Sequence, residues 1–154
     1  MNAPGVESRP SPIAGLGLFA LRPFAPGERL APYTGATTTT PPDPGRPGAP
    51  TYTLEVAPGL WLDGSDATNL ARHANHSCAP NAELVYLAAE RTAWLTAAAS
   101  IAAGDEITFD YGFSLAESLF HPCRCGAPGC VGRIIASPLR GALRRHLRFS
   151  RPRD

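Results

Sequence analysis

At 154 residues the chain has room for one compact core and not for two. No apolar run reaches the roughly 18 residues of a membrane helix, and Pro4, Glu7 and Pro10 stand where a secretory signal needs an apolar stretch, so a soluble, unexported chain is expected. All 14 basic residues are Arg: residues 133–154 hold seven of them against one Asp, and residues 1–132 hold seven against twelve acids, an acidic body with a basic tail that reads as a solvated helix face or as a surface for an anionic partner.

The 25 alanines leave less bulk to bury than a 44% hydrophobic fraction suggests, while 15 glycines and 17 prolines favour turns and short strands over long helices. In chain order, residues 1–12 hold three prolines and read as an irregular leader. Gly15-Leu16-Gly17-Leu18-Phe19-Ala20, followed by Pro23 and Pro26-Gly27, predicts a glycine-bent strand and a turn, with a second short strand through Leu30 to Tyr33. Five prolines between Pro41 and Pro50 deny residues 35–50 a strand ladder or a helix, so a flexible Pro-rich loop is expected there. Residues 52–56 alternate as a half-buried strand, and Leu60-Trp61-Leu62 reads as its hairpin partner across Pro58-Gly59. A helical turn is expected over residues 66–74, capped by Asp66 or Thr68. Residues 84–87 and 92–98 form a predicted hairpin around Glu90-Arg91, and Gly104-Asp105 turns the chain into a strand over 106–109. Beyond Cys130, Leu139, Leu143 and Leu147 recur every four residues among arginines, which is one face of a helix.

Taken singly, the polar clusters say little. Gly15-Leu16-Gly17 lacks the third glycine, the following helix and the later acid of a dinucleotide fingerprint. Asn75-His76 alone is an ordinary turn. The cysteines carry more: Cys123, Cys125 and Cys130 lie within eight residues, with Cys78 far upstream. Four thiols in an unexported chain favour a metal over disulfides. Soft thiolates suit a closed, four-coordinate structural Zn²⁺, with three ligands in one run needing a single remote partner. Redox-active thiols are the rival reading, and His121 beside Pro122 is a substitute ligand.

Read in order, Gly15 to Phe19, Tyr33-Thr34-Gly35, the run Asn69 to Cys78 ending Asn75-His76-Ser77-Cys78, the run Gly104 to Tyr111 ending Phe109-Asp110-Tyr111, and the cysteine run ending Cys130-Val131-Gly132-Arg133-Ile134 resemble the SET-domain protein lysine methyltransferases with their post-SET zinc segment. The likeness covers about residues 13–134. It implies a mainly β fold of the β-clip, SET type: small curved sheets, few short helices, and a pseudoknot in which the Asn-His-Ser-Cys and Asp-Tyr segments thread past each other. The SET domain would span 13–120, the zinc segment 121–134 and a basic C-terminal tail 135–154.

The resemblance further implies methyl transfer from S-adenosylmethionine to a protein lysine, donor and acceptor entering a narrow channel from opposite faces. Tyr111 matches the catalytic tyrosine and Tyr33 a channel tyrosine. Phe109 occupies the position where Phe or Tyr sets how many methyl groups fit, so di- or trimethylation is expected. Gly15, Leu16, Gly17, Tyr52, Asn75, His76, Tyr111 and Arg124 match donor contacts, and Cys78 closes the zinc tetrahedron with Cys123, Cys125 and Cys130. Arg72 and Asp110 are assigned to the scaffold. The departures Arg72-His73-Ala74, where larger apolar residues are common, and the absence of acids around Tyr33 leave the target open. Because the chain contains no lysine, the acceptor must come from another chain. The rival is a non-catalytic zinc module that keeps the fold to bind protein or nucleic acid through its tail; nucleic acid on residues 133–154 is compatible with either. The Ala-, Pro-, Gly- and Arg-rich, lysine-free composition reads as coding bias, with the cytoplasm as the expected location.

Overall fold

The computed structural model describes residues 5–43 and 52–150. Among the described residues ten short strands form three sheets, in keeping with the density of turn residues. The first sheet has the order β1 (Val6–Pro10), β2 (Leu16–Ala20), β10 (Glu106–Phe109), β7 (Asn75–His76). β1 replaces the irregular leader expected from the prolines. Pro10 is its last residue and β1 is a sheet edge, where a missing N–H costs no ladder bond. The β1–β2 turn closes when the Ser11 N–H donates to the Gly15 carbonyl at 2.9 Å. β2 is buried from Gly17 to Ala20 because β10 pairs along its other side, Ile107 opposite Leu18. β7 then runs parallel to β10, with Asn75 opposite Thr108 and His76 opposite Phe109.

The second sheet is β3 (Arg29–Tyr33), β9 (Thr92–Ala97) and β8 (Ala82–Leu87). β8 and β9 form the predicted hairpin, whose tip holds Arg91 at φ +52°. The third sheet is β4 (Ala36–Thr38), β6 (Leu60–Asp63) and β5 (Thr53–Ala57). β5 and β6 are the second predicted hairpin. β4 corrects part of the expected loop: residues 36–40 contain no proline, and their exposed edge pairs with β6. The expectation for residues 44–51 lies outside the described residues. The core between the sheets is built from Leu18, Leu30, Tyr33, Leu62, Leu95, Ile107 and Phe109.

Helices are few. The turn expected over 66–74 narrows to a 3-10 turn, Leu70–His73, with Asn69 at its N-cap. Asp66 caps nothing, because its carboxylate accepts the Thr68 N–H at 2.8 Å in a local turn ahead of the helix. α1 (Leu115–Ser118) is held by a Ser114–Glu117 capping box. A 3-10 turn at Ser137–Leu139 leads into α2 (Arg140–Phe149). On the predicted leucine face of α2 only Leu143 is fully buried. The segment expected as a basic tail is nonetheless docked. The Ala136 N–H donates to the Phe113 carbonyl at 2.9 Å, the Ser137 N–H to Asp110 Oδ2 at 2.8 Å, and the Arg140 guanidinium to the Cys78 carbonyl at 2.8 Å.

Candidate functional site

Where the first sheet meets the C-terminal cysteine run, a cavity of about 590 Å³ opens. Gly15 and Leu16 of the β1–β2 turn form one wall, and Asn75 and His76 of β7 another. Tyr52, Tyr111 and Arg124 complete the set, so seven of the eight expected donor contacts border this space. Gly17 does not, and its role is corrected: it stands behind the wall. A Cβ there would collide with the Glu106 carboxylate and come within 2.9 Å of Ser11 Cβ. The missing side chain lets Ser11 Oγ donate to Glu106 Oε1 at 2.8 Å, beside an Asn75 Nδ2 to Glu106 Oε1 bond of 2.8 Å. The same amide nitrogen reaches the carbonyls of Ala14 and Leu16, both at 3.1 Å. Asn75 thus shapes the wall by fixing the backbone of the turn.

His76 performs a comparable service for Tyr111. Its Nδ1 accepts the Tyr111 N–H at 3.2 Å, 3.8 Å from Asp110 Oδ1. Burial pulls its pKa down to about 4 against the opposing pull of Asp110, so the ring is neutral and its acceptor nitrogen is available. The Tyr111 hydroxyl donates to the Ala74 carbonyl at 2.8 Å, and its ring packs 4.9 Å from Phe109 and 5.5 Å from Phe113. Tyr33 donates its hydroxyl to the Tyr52 carbonyl at 2.8 Å and lies 6.5 Å from Phe109. Its ring fits against Gly64, where any Cβ would strike it. Burial holds both phenols above the usual tyrosine range, so each is a hydrogen-bonding hydroxyl at neutral pH. Tyr33 and Phe109 border neither cavity; they back Tyr111 from the core.

A second, smaller cavity of about 190 Å³ is bordered by Leu54, Trp61 and Glu117. Tyr111 and Phe113 line both cavities.

Several wall residues escape a reading of the sequence. Arg72, assigned there to the scaffold, borders the larger cavity. One of its terminal nitrogens donates to the Ser65 carbonyl at 2.6 Å and the guanidinium lies 5.2 Å from the Tyr52 ring, yet its buried Nε has no partner. His73, Phe113, His121 and Ile134 also border it. The signal for Arg72 and His73 is their place on the 3-10 turn that delivers Asn75. Asp110 keeps its scaffold role, accepting the N–H groups of Gly112 at 2.9 Å and Ser137 at 2.8 Å.

The four cysteines converge. Their sulphurs all lie within 4.8 Å of one another, with Cys78 Sγ 4.0 Å from Cys123 Sγ. Four thiolates about 2.3 Å from a tetrahedral Zn²⁺ would sit roughly 3.8 Å apart, so the donor set fits that ion. His121 is not among these ligands. Burial pushes the Cys78 and Cys123 thiols up. At Cys125 burial also works upward, but N–H groups from Cys78 and Ala127 and the neighbouring thiols overcome it and bring the pKa down to about 6. One thiolate is ready at neutral pH, and a dication would draw out the others.

Comparison with known proteins places these features in a family. A SET domain profile matches residues 15–112. "Histone-lysine N-methyltransferase, H3 lysine-4 specific" of Mycosarcoma maydis is 34% identical over 78% of this chain and 9% of its own length. "Histone-lysine N-methyltransferase ash1" of Drosophila melanogaster is 33% identical over 86% of this chain and 6% of its own. The chain therefore spans less than a tenth of the length of these relatives. Among solved structures, KRYPTONITE in complex with mCHH DNA, an H3(1-15) peptide and SAH superimposes with a TM-score of 0.66 at 25% identity, covering 84% of this chain and 29% of that one. An autoinhibited ctPRC2 bound to S-adenosylmethionine gives 0.58 at 26% identity, covering 70% and 15%. No helix among the described residues is long and apolar enough to cross a membrane.

Proposed function

Since the chain belongs to the SET-domain family, we propose that it transfers methyl groups from S-adenosylmethionine to lysine side chains of other proteins. The observation that carries this reading is the wall common to the two cavities, Tyr111 and Phe113. A donor in the larger space and a side chain entering through the smaller one would meet at the Tyr111 hydroxyl. Solved relatives of the same fold hold SAH or S-adenosylmethionine, and four sulphurs spaced for Zn²⁺ would hold a structural metal beside the cavity.

When bound, the sulfonium donor supplies an electrophilic methyl group, which passes directly to a neutral amine as the S–C bond breaks and the N–C bond forms. The remaining work falls to the protein. Asn75 fixes the turn whose backbone borders the donor, and Arg72 offers a partnerless Nε to the carboxylate of its amino-acid portion. Because the Tyr111 proton is committed to the Ala74 carbonyl, the lone pairs of its oxygen are free to accept an amine N–H and aim the nitrogen at the methyl carbon. A phenol held above its ordinary pKa is an orienting group, and the amine proton leaves to water before transfer. The low-dielectric surroundings of Tyr111 and Phe113, backed by Phe109 in the core, disfavour an ammonium ion by desolvation and assist that loss. Radiolabelled donor incubated with lysine-bearing proteins, the modified residue then identified by mass spectrometry, tests the reading. A non-catalytic module would transfer no label even when its donor cavity is filled.

Phe109 presents no hydroxyl to a methylated amine, which supports di- or trimethylation. We expect Phe109→Tyr to shift the product toward monomethyl-lysine while leaving donor affinity within about twofold. Mass spectrometry of the product distribution under excess donor decides it, and a wild-type enzyme that stops after one methyl group contradicts the reading.

A separate observation favours an anionic surface as docking partner for the C-terminal helix. α2 contains no acid, and Arg144, Arg145 and Arg148 form no ion pair among the described residues. Deleting the helix would also remove buried Leu143 and the Arg140 contact with Cys78, so point changes are the cleaner probe. Replacing the three arginines by Gln should weaken binding to duplex DNA. It should also lower the slope of log K against log salt by up to about 2.7, since each phosphate contact contributes about 0.9. An unchanged slope dismisses nucleic acid as the partner of this helix.

A further inference from the structure

We propose that the C-terminal helix α2 is a strap that duplex DNA tightens, with Leu139 at its start as the residue that passes this on to the acceptor side chain. The inference rests on reading the smaller cavity as the entrance for that side chain. Leu139 directly precedes Arg140, the first residue of α2, and borders the smaller cavity together with Trp61 and Glu117. Its place is set from both sides. Before it, the 3-10 turn closes when the Leu139 N–H donates to the Ala136 carbonyl at 2.9 Å, and the Ser137 N–H is held by Asp110 at 2.8 Å. After it, the Arg140 guanidinium donates to the Cys78 carbonyl at 2.8 Å. One wall of the entrance therefore depends on a helix.

That helix is weak by its own chemistry. It has ten residues, a length at which isolated helices are marginal, with no side-chain cap and Gly141 in its first turn. Arg140 opposes the helix dipole, and no acid in the helix offsets it. Arg140, Arg144 and Arg148 follow one another at i, i+4 spacing and Arg145 lies three before Arg148, so like charges stack along the helix. Against this, only Leu143 is fully buried, and the buried Nε of Arg140 has no partner. A polyanion changes the balance. Phosphates laid against the exposed Arg144, Arg145 and Arg148 remove the repulsion, so a partner that binds the ordered helix better than the frayed one shifts the population toward it. Planar guanidinium groups match phosphate oxygens in pairs. A lipid surface is the poorer match, because Leu143 is turned into the protein and Leu147 is half-buried, which leaves Phe149 as the exposed large apolar residue of α2.

Hydrogen exchange and steady-state kinetics on the zinc-loaded full chain test this, with a short DNA duplex as the probe and a peptide carrying the lysine identified by labelled donor as the acceptor. DNA should slow exchange over residues 141–149 by about three- to tenfold, as expected for relief of three like-charged pairs. The KM for the peptide should fall by about twofold or more with kcat little changed, as a competent fraction of half or less becomes nearly complete. Leu139→Ala should keep the slowed exchange and lose the KM response, which separates placement of the wall from DNA merely gathering enzyme and peptide. The triple variant Arg144→Gln, Arg145→Gln, Arg148→Gln should show neither response, and it carries the test if Leu139→Ala fails to fold. A wild-type KM or an α2 exchange rate that ignores DNA overturns the proposal. So does a Leu139→Ala or triple variant whose KM responds as fully as wild type, or a response to anionic phospholipid vesicles in place of DNA. A chain that transfers no label to any lysine peptide, with DNA or without it, overturns instead the reading on which the proposal rests.

Discussion

Replacing Tyr111 by Phe should reduce methyl transfer by about a hundredfold or more while donor affinity changes by less than about twofold. The change deletes one oxygen and leaves the ring among Phe109, Phe113 and His76. Removing a single preoriented polar group from a reacting centre typically costs 10²–10³ in rate. The oxygen is preoriented here because its proton is held by the Ala74 carbonyl at 2.8 Å and its backbone N–H by His76 at 3.2 Å. Loss of the hydroxyl also strands the Ala74 carbonyl, so a modest drop in melting temperature should accompany the kinetic effect. Single-turnover rates with labelled donor, set beside calorimetric binding of S-adenosylhomocysteine, separate the two contributions. A variant that keeps its rate within threefold of wild type removes Tyr111 from the chemistry.

Removal of zinc is expected to abolish donor binding as well as activity, and to leave the three sheets folded. Residues 121–134 have almost no apolar core of their own: Pro122, Arg124 and Gly126 are exposed, and Cys125 and Cys130 only half-buried. Hydrogen bonds tie the two ends of the segment together, among them Ile134 N–H to the His121 carbonyl at 2.9 Å and Cys123 N–H to the Gly132 carbonyl at 3.0 Å, but the stretch between Cys123 and Cys130 has little besides the metal to order it. Structural zinc contributes about 10–16 kcal/mol in small peptide systems, ample for a segment of this size. That segment supplies His121, Pro122, Cys123, Arg124 and Ile134 to the cavity wall. Chelation should therefore weaken S-adenosylhomocysteine binding at least a hundredfold, with hydrogen exchange rising over 121–134 and staying slow in β2, β9 and β10. Added zinc should restore both, and Cys125→Ser should mimic the chelated state. Zinc-free protein with undiminished donor affinity contradicts the coupling. Since protons compete with the metal for thiolates, zinc affinity should fall as the pH is lowered.

The sequence yields most of the strands because their alternation and their glycine- and proline-marked turns are local signals. The two hairpins β5–β6 and β8–β9 are of this kind, and so is β10 after Gly104-Asp105. β1 is misread because prolines at a sheet edge look like prolines in a loop until the neighbouring strand is known. Residues that match the family motif, such as Asn75 and His76, are found at the larger cavity. Gly17 matches as well and faces Glu106 instead, since a strand sends neighbouring positions to opposite sides. Arg72, assigned to the scaffold, and His121, read as a substitute zinc ligand, are the instructive cases, since both border the larger cavity. Nothing local distinguishes an arginine held by a backbone carbonyl from one whose Nε also borders a cavity. The fate of His121 depends on Phe113 and Ile134, which only the folded chain brings beside it.

The position of β10 between β2 and β7 governs when this protein can work during its own synthesis. Leu18 finds Ile107 only after roughly ninety residues have been added, and the cavity wall begun at Ile13 is not finished until Ile134. Such distant pairings form slowly. A nascent chain halted on the ribosome before the last cysteine therefore has no complete pocket, and the cavity is among the last features of the fold to be finished.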